Sequence, residues 1–297
     1  MSAPAGNLGA PRYAAHACVA GIATLLLLAC PARAWAQVRV TPLTEHVVLL
    51  QSPRSNMVAS VGPEGAVIVG AMDTISAAAV ADSLTARAAS PRRVVIAMAG
   101  LASVGQADAG WDARGALVIM QEFAVRRMQP PAPSNAHLRR PRSQFSQFFS
   151  IDLNDEPIHA VRQEPGYADS DVLVHFESAN VIYLGEAFPG DGYPRIDSAL
   201  GGTVDGLLKT LDPWARPDRA DSKPRFVGAR GAVASSGDIL AFRDMIRSVS
   251  QEIRRLKQAG RSVDQVIAAH PTAAYDQRWG HGLISAESFV RDVYQGH

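Results

Sequence analysis

Cysteine is nearly missing from this chain. There are two in 297 residues, Cys18 and Cys30, and both fall within the first 36. If that segment is removed, no thiol remains, hence no disulfide and no cysteine metal ligand. Closely spaced histidines are also lacking. Of eight, His46, His137, His159, His175, His270, His281 and His297 lie beyond residue 36, and none are two or four apart. A lone histidine on a strand is more often a packed or surface residue than a ligand. Charge of one sign is scarce as well: 29 basic residues stand against 28 acidic. Nothing in that balance steers the protein toward nucleic acid or an anionic surface. Arg139-Arg140-Pro141-Arg142 is the one basic cluster, and it reads as a solvated loop. Gly-x-Ser-x-Gly is absent too. Ser103 sits in Gly100-Leu101-Ala102-Ser103-Val104 with no base assigned to it, so a serine nucleophile has little support. Gly201-Gly202 precedes no Lys-Ser or Lys-Thr and is not a phosphate loop.

What the chain does contain is ordinary globular material, 47% hydrophobic and 19% charged, enough for one large core. Its first 36 residues are separate in kind. Arg12 precedes the apolar run Ala17 to Cys30, and Ala34-Trp35-Ala36 gives a small-x-small pattern before Gln37. This predicts a secretory signal cleaved after Ala36 and a periplasmic or secreted protein. A transmembrane anchor is the rival reading, but the run is short of the ~20 apolar residues a span needs. Lipoprotein processing at Cys30 is another, with Leu28 a poor fit to its pattern. Cleavage would leave a thiol-free mature domain, 37–297, with no membrane span. It would also remove Arg12 and Arg33, turning a formal net charge of +1 slightly negative.

Short β-rich runs open that domain: His46 to Leu50, Met57 to Val61, then Ala66 to Val69 after the turn Gly62-Pro63-Glu64-Gly65. A helix is predicted over Ile75 to Arg87, a strand over Arg93 to Met98, further helix to about Ala113, and a strand over Leu117 to Met120. That alternation indicates helices packed on sheets. Residues 128–150 carry Pro130, Pro131, Pro133 and Pro141, which argue against regular structure. Strands follow at Val172 to Phe176 and Asn180 to Leu184, and the last at Arg225 onward. The strongest helix runs Ile239 to Lys257, with Ile239, Phe242, Met245, Ile246, Val249, Ile253 and Leu256 in one stripe ended by Gly260. Ser262-x-x-Gln265 is a capping box, and Ser285 to Tyr294 a final helix.

The run Val94 to Met98, the small-residue turn after it, Gly185-Glu186-Ala187-Phe188, Tyr193-Pro194-x-Ile196-Asp197 and Gly201-Gly202-x-x-Asp205-Gly206 together resemble the metallo-β-lactamase superfamily. So does Asp238-x-Leu240-Ala241-x-Arg243-Asp244-Met245. The resemblance spans nearly the whole mature chain. It implies an α/β fold, the four-layer αβ/βα sandwich, with a helical C-terminal extension over about 239–297. In such proteins His-x-His-x-Asp-His and three later positions hold two zinc ions. Here the matching positions read Ala99, Leu101, Ser103 and Val104, then Tyr167 for a histidine, Glu186 for the bridging aspartate, and Arg230 for the last histidine. A one-residue slip would put Ala229 at that last place. Asp169 and Asp171 stay in step with the family's second motif, although loop capping explains them equally. The aspartate expected after the strand ending Val69-Gly70 is missing, Asp73 coming three residues late.

One carboxylate of seven positions cannot hold a catalytic zinc, so no metal cofactor is expected. The resemblance therefore implies a pseudo-hydrolase, binding a small ligand or a protein partner through the old cleft, with Tyr167, Asp169, Glu186, Arg230 and Ser103 as cleft candidates. Two alternatives stay open: a hydrolase acting without metal or with an unrecognised ligand set, and a decayed gene product. Two dications removed from an acidic cleft leave negative charge that something must balance. Either Arg230 turns inward to pair with Glu186, with Tyr167 close enough to hydrogen-bond and Ala99, Leu101 and Val104 as apolar wall, or it faces solvent.

Overall fold

A computed structural model describes residues 38–52, 55–70, 74–85, 87–98, 111, 114–127, 143–217 and 222–296, with side chains of 74–78 not described. The predicted signal segment, the turn carrying Ala99, Leu101, Ser103 and Val104, Asp73, and the proline-rich stretch with its arginine cluster lie outside those residues.

Two sheets organise the described chain. The first holds seven strands in sequence order: β1 (Arg39–Pro42), β2 (Val47–Gln51), β3 (Asn56–Gly62), β4 (Gly65–Gly70), β5 (Arg93–Ala97), β6 (Leu117–Gln121) and β7 (Ser143–Phe145). Pairing is antiparallel through β4 and parallel from β4 to β7. The switch comes where α1 (Thr74–Thr85) makes a crossover between β4 and β5, as parallel neighbours require. The second sheet has the order β12-β11-β10-β9-β8, from β8 (Phe148–Leu153), β9 (Glu156–Arg162), β10 (Val172–Phe176), β11 (Val181–Gly185) and β12 (Arg225–Gly228). Only β11 and β12 run parallel there.

The unbroken apolar runs of the sequence have a direct cause. In β2, Val47 and Leu49 face a cluster drawn from both sheets, while Val48 and Leu50 face another that includes Val80 and Leu84 of α1. Buried on both faces, the strand has no polar alternation to show. A third cluster joins Leu173, Ile182, Leu184 and Phe226 of the second sheet to α3 (Val204–Leu211), α4 (Ser236–Gln258) and α7 (Ala286–Gln295).

Helix α4 carries the predicted stripe. Ile239, Phe242, Met245, Ile246, Val249 and Ile253 are all essentially inaccessible. It starts three residues earlier than the periodicity indicates. Ser235 accepts the Asp238 N–H and Asp238 returns the bond to the Ser235 N–H, a box that fixes the start ahead of the first apolar residue. The Ser262–Gln265 box forms as expected at α5 (Val263–Ala268), and Ser285 caps α7. Among the described residues no helix is long and apolar enough to cross a membrane.

Two readings need correction. Residues 128–150 are not irregular throughout, because β7 and the start of β8 fall within them. The prolines stop at Pro141, and Ser143–Phe145 then pairs with β6. The six-residue α2 (Glu122–Arg127) escaped the sequence reading because it is too short to display a period.

Candidate functional site

The carboxyl ends of β11 and β12 lie side by side, and the loops leaving them carry Glu186 and Arg230. Arg230 turns inward. Its Nη1 lies 3.1 Å from Glu186 Oε1 and its Nη2 3.3 Å from Oε2, a two-pronged pair. Its Nε donates to Asp191 Oδ1 at 3.2 Å. One guanidinium thus serves two carboxylates with three N–H groups, the geometry for which its planar fork is suited. The arginine side chain is only 12% exposed, against 34% for Glu186 and 35% for Asp191. Burial works to pull the Arg230 proton affinity down. The Glu186 and Asp191 charges outweigh it, so its pKa is raised and the cation is permanent.

The loop holding Arg230 is locked from β3. Asn56, almost fully buried, donates through Nδ2 to the carbonyls of Gly228 and Gly231, while its backbone N–H meets the Ala229 carbonyl at 2.7 Å. From the other side the Arg230 N–H bonds the Pro189 carbonyl. Gly190 makes that approach possible. It has φ +86°, and a Cβ there would lie 2.2 Å from the Arg230 carbonyl oxygen.

A second arginine acts on the neighbouring acid. Arg127, at the end of α2, forms an ion pair with Asp169 and donates to Ser170 Oγ. Arg162 adds an Nε–H to the Asp169 carbonyl at 3.1 Å and lies over the Phe123 ring. Asp169 is therefore held by Arg127, not by Arg230.

Asp171 is half-buried and accepts the backbone N–H groups of Gly166, Tyr167 and Ala168 at 3.0, 2.7 and 3.1 Å. Burial nevertheless dominates those three donors, and the nearby Glu186 charge adds to it, so its pKa is pushed up to about 7. Tyr167 does not meet the expectation set for it. Its side chain is buried, which raises its pKa, but no hydrogen bond joins its hydroxyl to Glu186 or Arg230.

Between these groups lies a cavity of about 40 Å³, lined by Ser55, Met98, Asp171, Tyr183, Glu186 and Ala229 among others. That is room for a few water molecules. Ser103 cannot be placed in it, being outside the described residues. The residues that sequence reasoning missed are Arg127, Asn56 and Asp191. Arg127 sits 42 positions from its acid and Asn56 172 positions from Gly228, and no local pattern signals such pairings.

The donor set does not fit a zinc ion. The positions that the sequence resemblance assigns to imidazoles read Ala99, Leu101, Val104, Tyr167 and Arg230, and a guanidinium has no lone pair to give. Glu186 remains, with both oxygens facing that cation. Among the described residues no group of three or more His, Cys, Asp or Glu could hold a metal ion.

No family model matches the sequence, and no curated protein does either. Solved structures do match. A stereoselective inverting sec-alkylsulfatase from Pseudomonas sp. superposes with a TM-score of 0.62 at 14% identity, covering 87% of this chain and 50% of its own. A metallo-beta-lactamase from Pontibacter korlensis gives 0.56 at 11%, covering 71% of this chain and 99% of its own. Another from Hirschia baltica gives 0.50 at 16%, covering 70% and 97%. The chain thus spans half the length of the alkylsulfatase. At such identities the likeness establishes the fold, which is of the metallo-β-lactamase type, and nothing further.

Proposed function

We propose that this chain is an exported protein whose αβ/βα sandwich has exchanged a di-zinc hydrolase centre for an arginine–carboxylate network, and that it works by binding rather than by hydrolysis. The observation that carries the reading is the inward Arg230. A permanent cation on Glu186 and Asp191 supplies the positive charge that metal ions would otherwise provide. Arg127 on Asp169 supports it in the same sense. With the centre satisfied internally, a small ligand or protein partner would meet the rim of the old cleft, where Tyr167, Asp169, Glu186 and Ser103 are the candidates. No nucleic acid or membrane role is proposed, and a signal peptide removed after Ala36 would place the protein in the periplasm or outside the cell.

A second reading, a hydrolase acting without metal, draws on one observation. Asp171, with a pKa near neutrality, lines the same cavity as Glu186, so a proton could be held or released there. A turnover screen separates the two. Purified protein would be assayed on lactam, thioester, carboxylic ester and secondary alkyl sulfate substrates, with and without added zinc. The binding reading expects no turnover above buffer in any arm. Zinc-dependent turnover lost in Glu186→Gln would overturn it. Metal-free turnover lost in Asp171→Asn would establish the second.

A further inference from the structure

The second sheet has another cavity, at the far end of its strands. Asn180 precedes β11 and Pro224 precedes β12, whereas Glu186 and Arg230 follow them, so roughly 15 Å of strand separates the two places. This cavity is larger, about 190 Å³. We propose that it binds a small organic anion, a monocarboxylate with a flat or apolar body, independently of the old cleft.

Its walls divide by chemistry. The Trp214 indole provides one, held edge-on against Phe226 at 5.8 Å between ring centres, with Pro217 and Pro224 beside it as rigid apolar surface. Opposite in character are Arg216, His175, Asn180 and Ser236. Arg216 is exposed, and among the described residues no acid pairs with its guanidinium. Most arginines around it are committed: Arg243 and Arg247 share Asp212, and Arg225 donates to the Leu43 and Ala179 carbonyls.

Ser236 is the second observation. The residue is only 3% exposed and lines the cavity, yet no hydrogen bond among the described residues engages its hydroxyl. Facing the cavity, that hydroxyl is free to donate to a ligand oxygen. Ser236 is also the first residue of the 23-residue α4, whose Ser235 cap takes only the Asp238 N–H. The Ser236 and Gly237 amides at that positive helix end carry no partner among the described residues. Burial lowers the His175 pKa, leaving a neutral imidazole that can donate or accept. The positive character therefore rests on Arg216 and the helix end. Apolar surface beside a cation and hydrogen-bond donors in one cavity favours a carboxylate with a body over a bare inorganic ion. Residues 218–221 lie between Pro217 and Ser222 but outside the described residues, and no part of the site rests on them.

Calorimetric titration of the full mature chain with benzoate, indole-3-acetate and hexanoate tests this, with benzamide and inorganic phosphate as comparison probes. At least one carboxylate should saturate with one-to-one stoichiometry and change Trp214 fluorescence. Arg216→Gln, a surface change that leaves the core untouched, should weaken it about tenfold or more. Benzamide should bind more weakly than benzoate, and Arg230→Ala should leave the affinity unchanged. The proposal is overturned if no carboxylate saturates, if phosphate alone binds, or if Arg216→Gln and Ser236→Ala both bind as the parent does.

Discussion

Replacing Arg230 with alanine strands Glu186 and Asp191 beside a carboxyl-lined cavity. Breaking a fully buried ion pair costs about 3–5 kcal/mol, chiefly because one charge is left without its counter-charge. Here both acids are about a third exposed, so water recovers part of that loss. The expected cost is about 2 kcal/mol, which for a domain of this size lowers the melting temperature by about 4–8 °C. Adding Glu186→Gln to Arg230→Ala removes the stranded charge and should restore about half of the loss, since residues in contact are not additive. Arg230→Lys should fall between, keeping the charge but losing the two-pronged geometry. Urea unfolding of the four proteins at equal salt measures these differences. A single-variant cost below about 0.5 kcal/mol, or a double variant less stable than the single, would refute the reasoning, because both follow from the pair being a compensated buried charge.

Other expectations concern the same neighbourhood and the N-terminus. The Asp171 carboxyl holds its proton to about pH 7 when folded but releases it near its ordinary value of 3.8 when unfolded. Between those values the folded chain binds the extra proton, so this group's contribution to stability falls as pH rises through that window and is level above it. Carboxyl carbon NMR of Asp171 should show the raised midpoint, and a midpoint near 4 would contradict it. Gly190→Ala should destabilise by more than about 1 kcal/mol, by chemical denaturation, because its positive φ and the Arg230 carbonyl leave no place for a Cβ. Protein recovered from the cell envelope should have the intact mass of a chain beginning at Gln37 with no cysteine. A lipid-modified Cys30 or a retained N-terminus would contradict that.

The parts of this fold legible in the sequence are those whose cause is local. The β2 and β5 runs, the apolar stripe of α4 and the Ser262–Gln265 box each state their structure within a few residues. The Arg230–Glu186 pair was one of two outcomes the sequence left open, raised by matching positions to a family whose metal ligands converge, and the contacts decide for it. Local pattern could not supply Arg127 on Asp169 or Asn56 on the Gly228–Gly231 loop, since each joins segments that only the folded topology brings together. Tyr167 shows the opposite failure. Its hydroxyl hydrogen-bonds neither Glu186 nor Arg230, an outcome no local pattern signals. Proline content misled for a plain reason: Pro141 precludes helix where it stands and does not prevent an edge strand two residues later.

The central claim is that an arginine stands where this fold otherwise holds metal. Zinc content of the mature protein, measured by elemental analysis after incubation with excess zinc and desalting, tests it directly, with thermal melts recorded with and without a chelator. The account predicts well under one equivalent of zinc and a melting temperature the chelator does not move. One or two tightly held equivalents, together with a melt that falls on chelation, would contradict it.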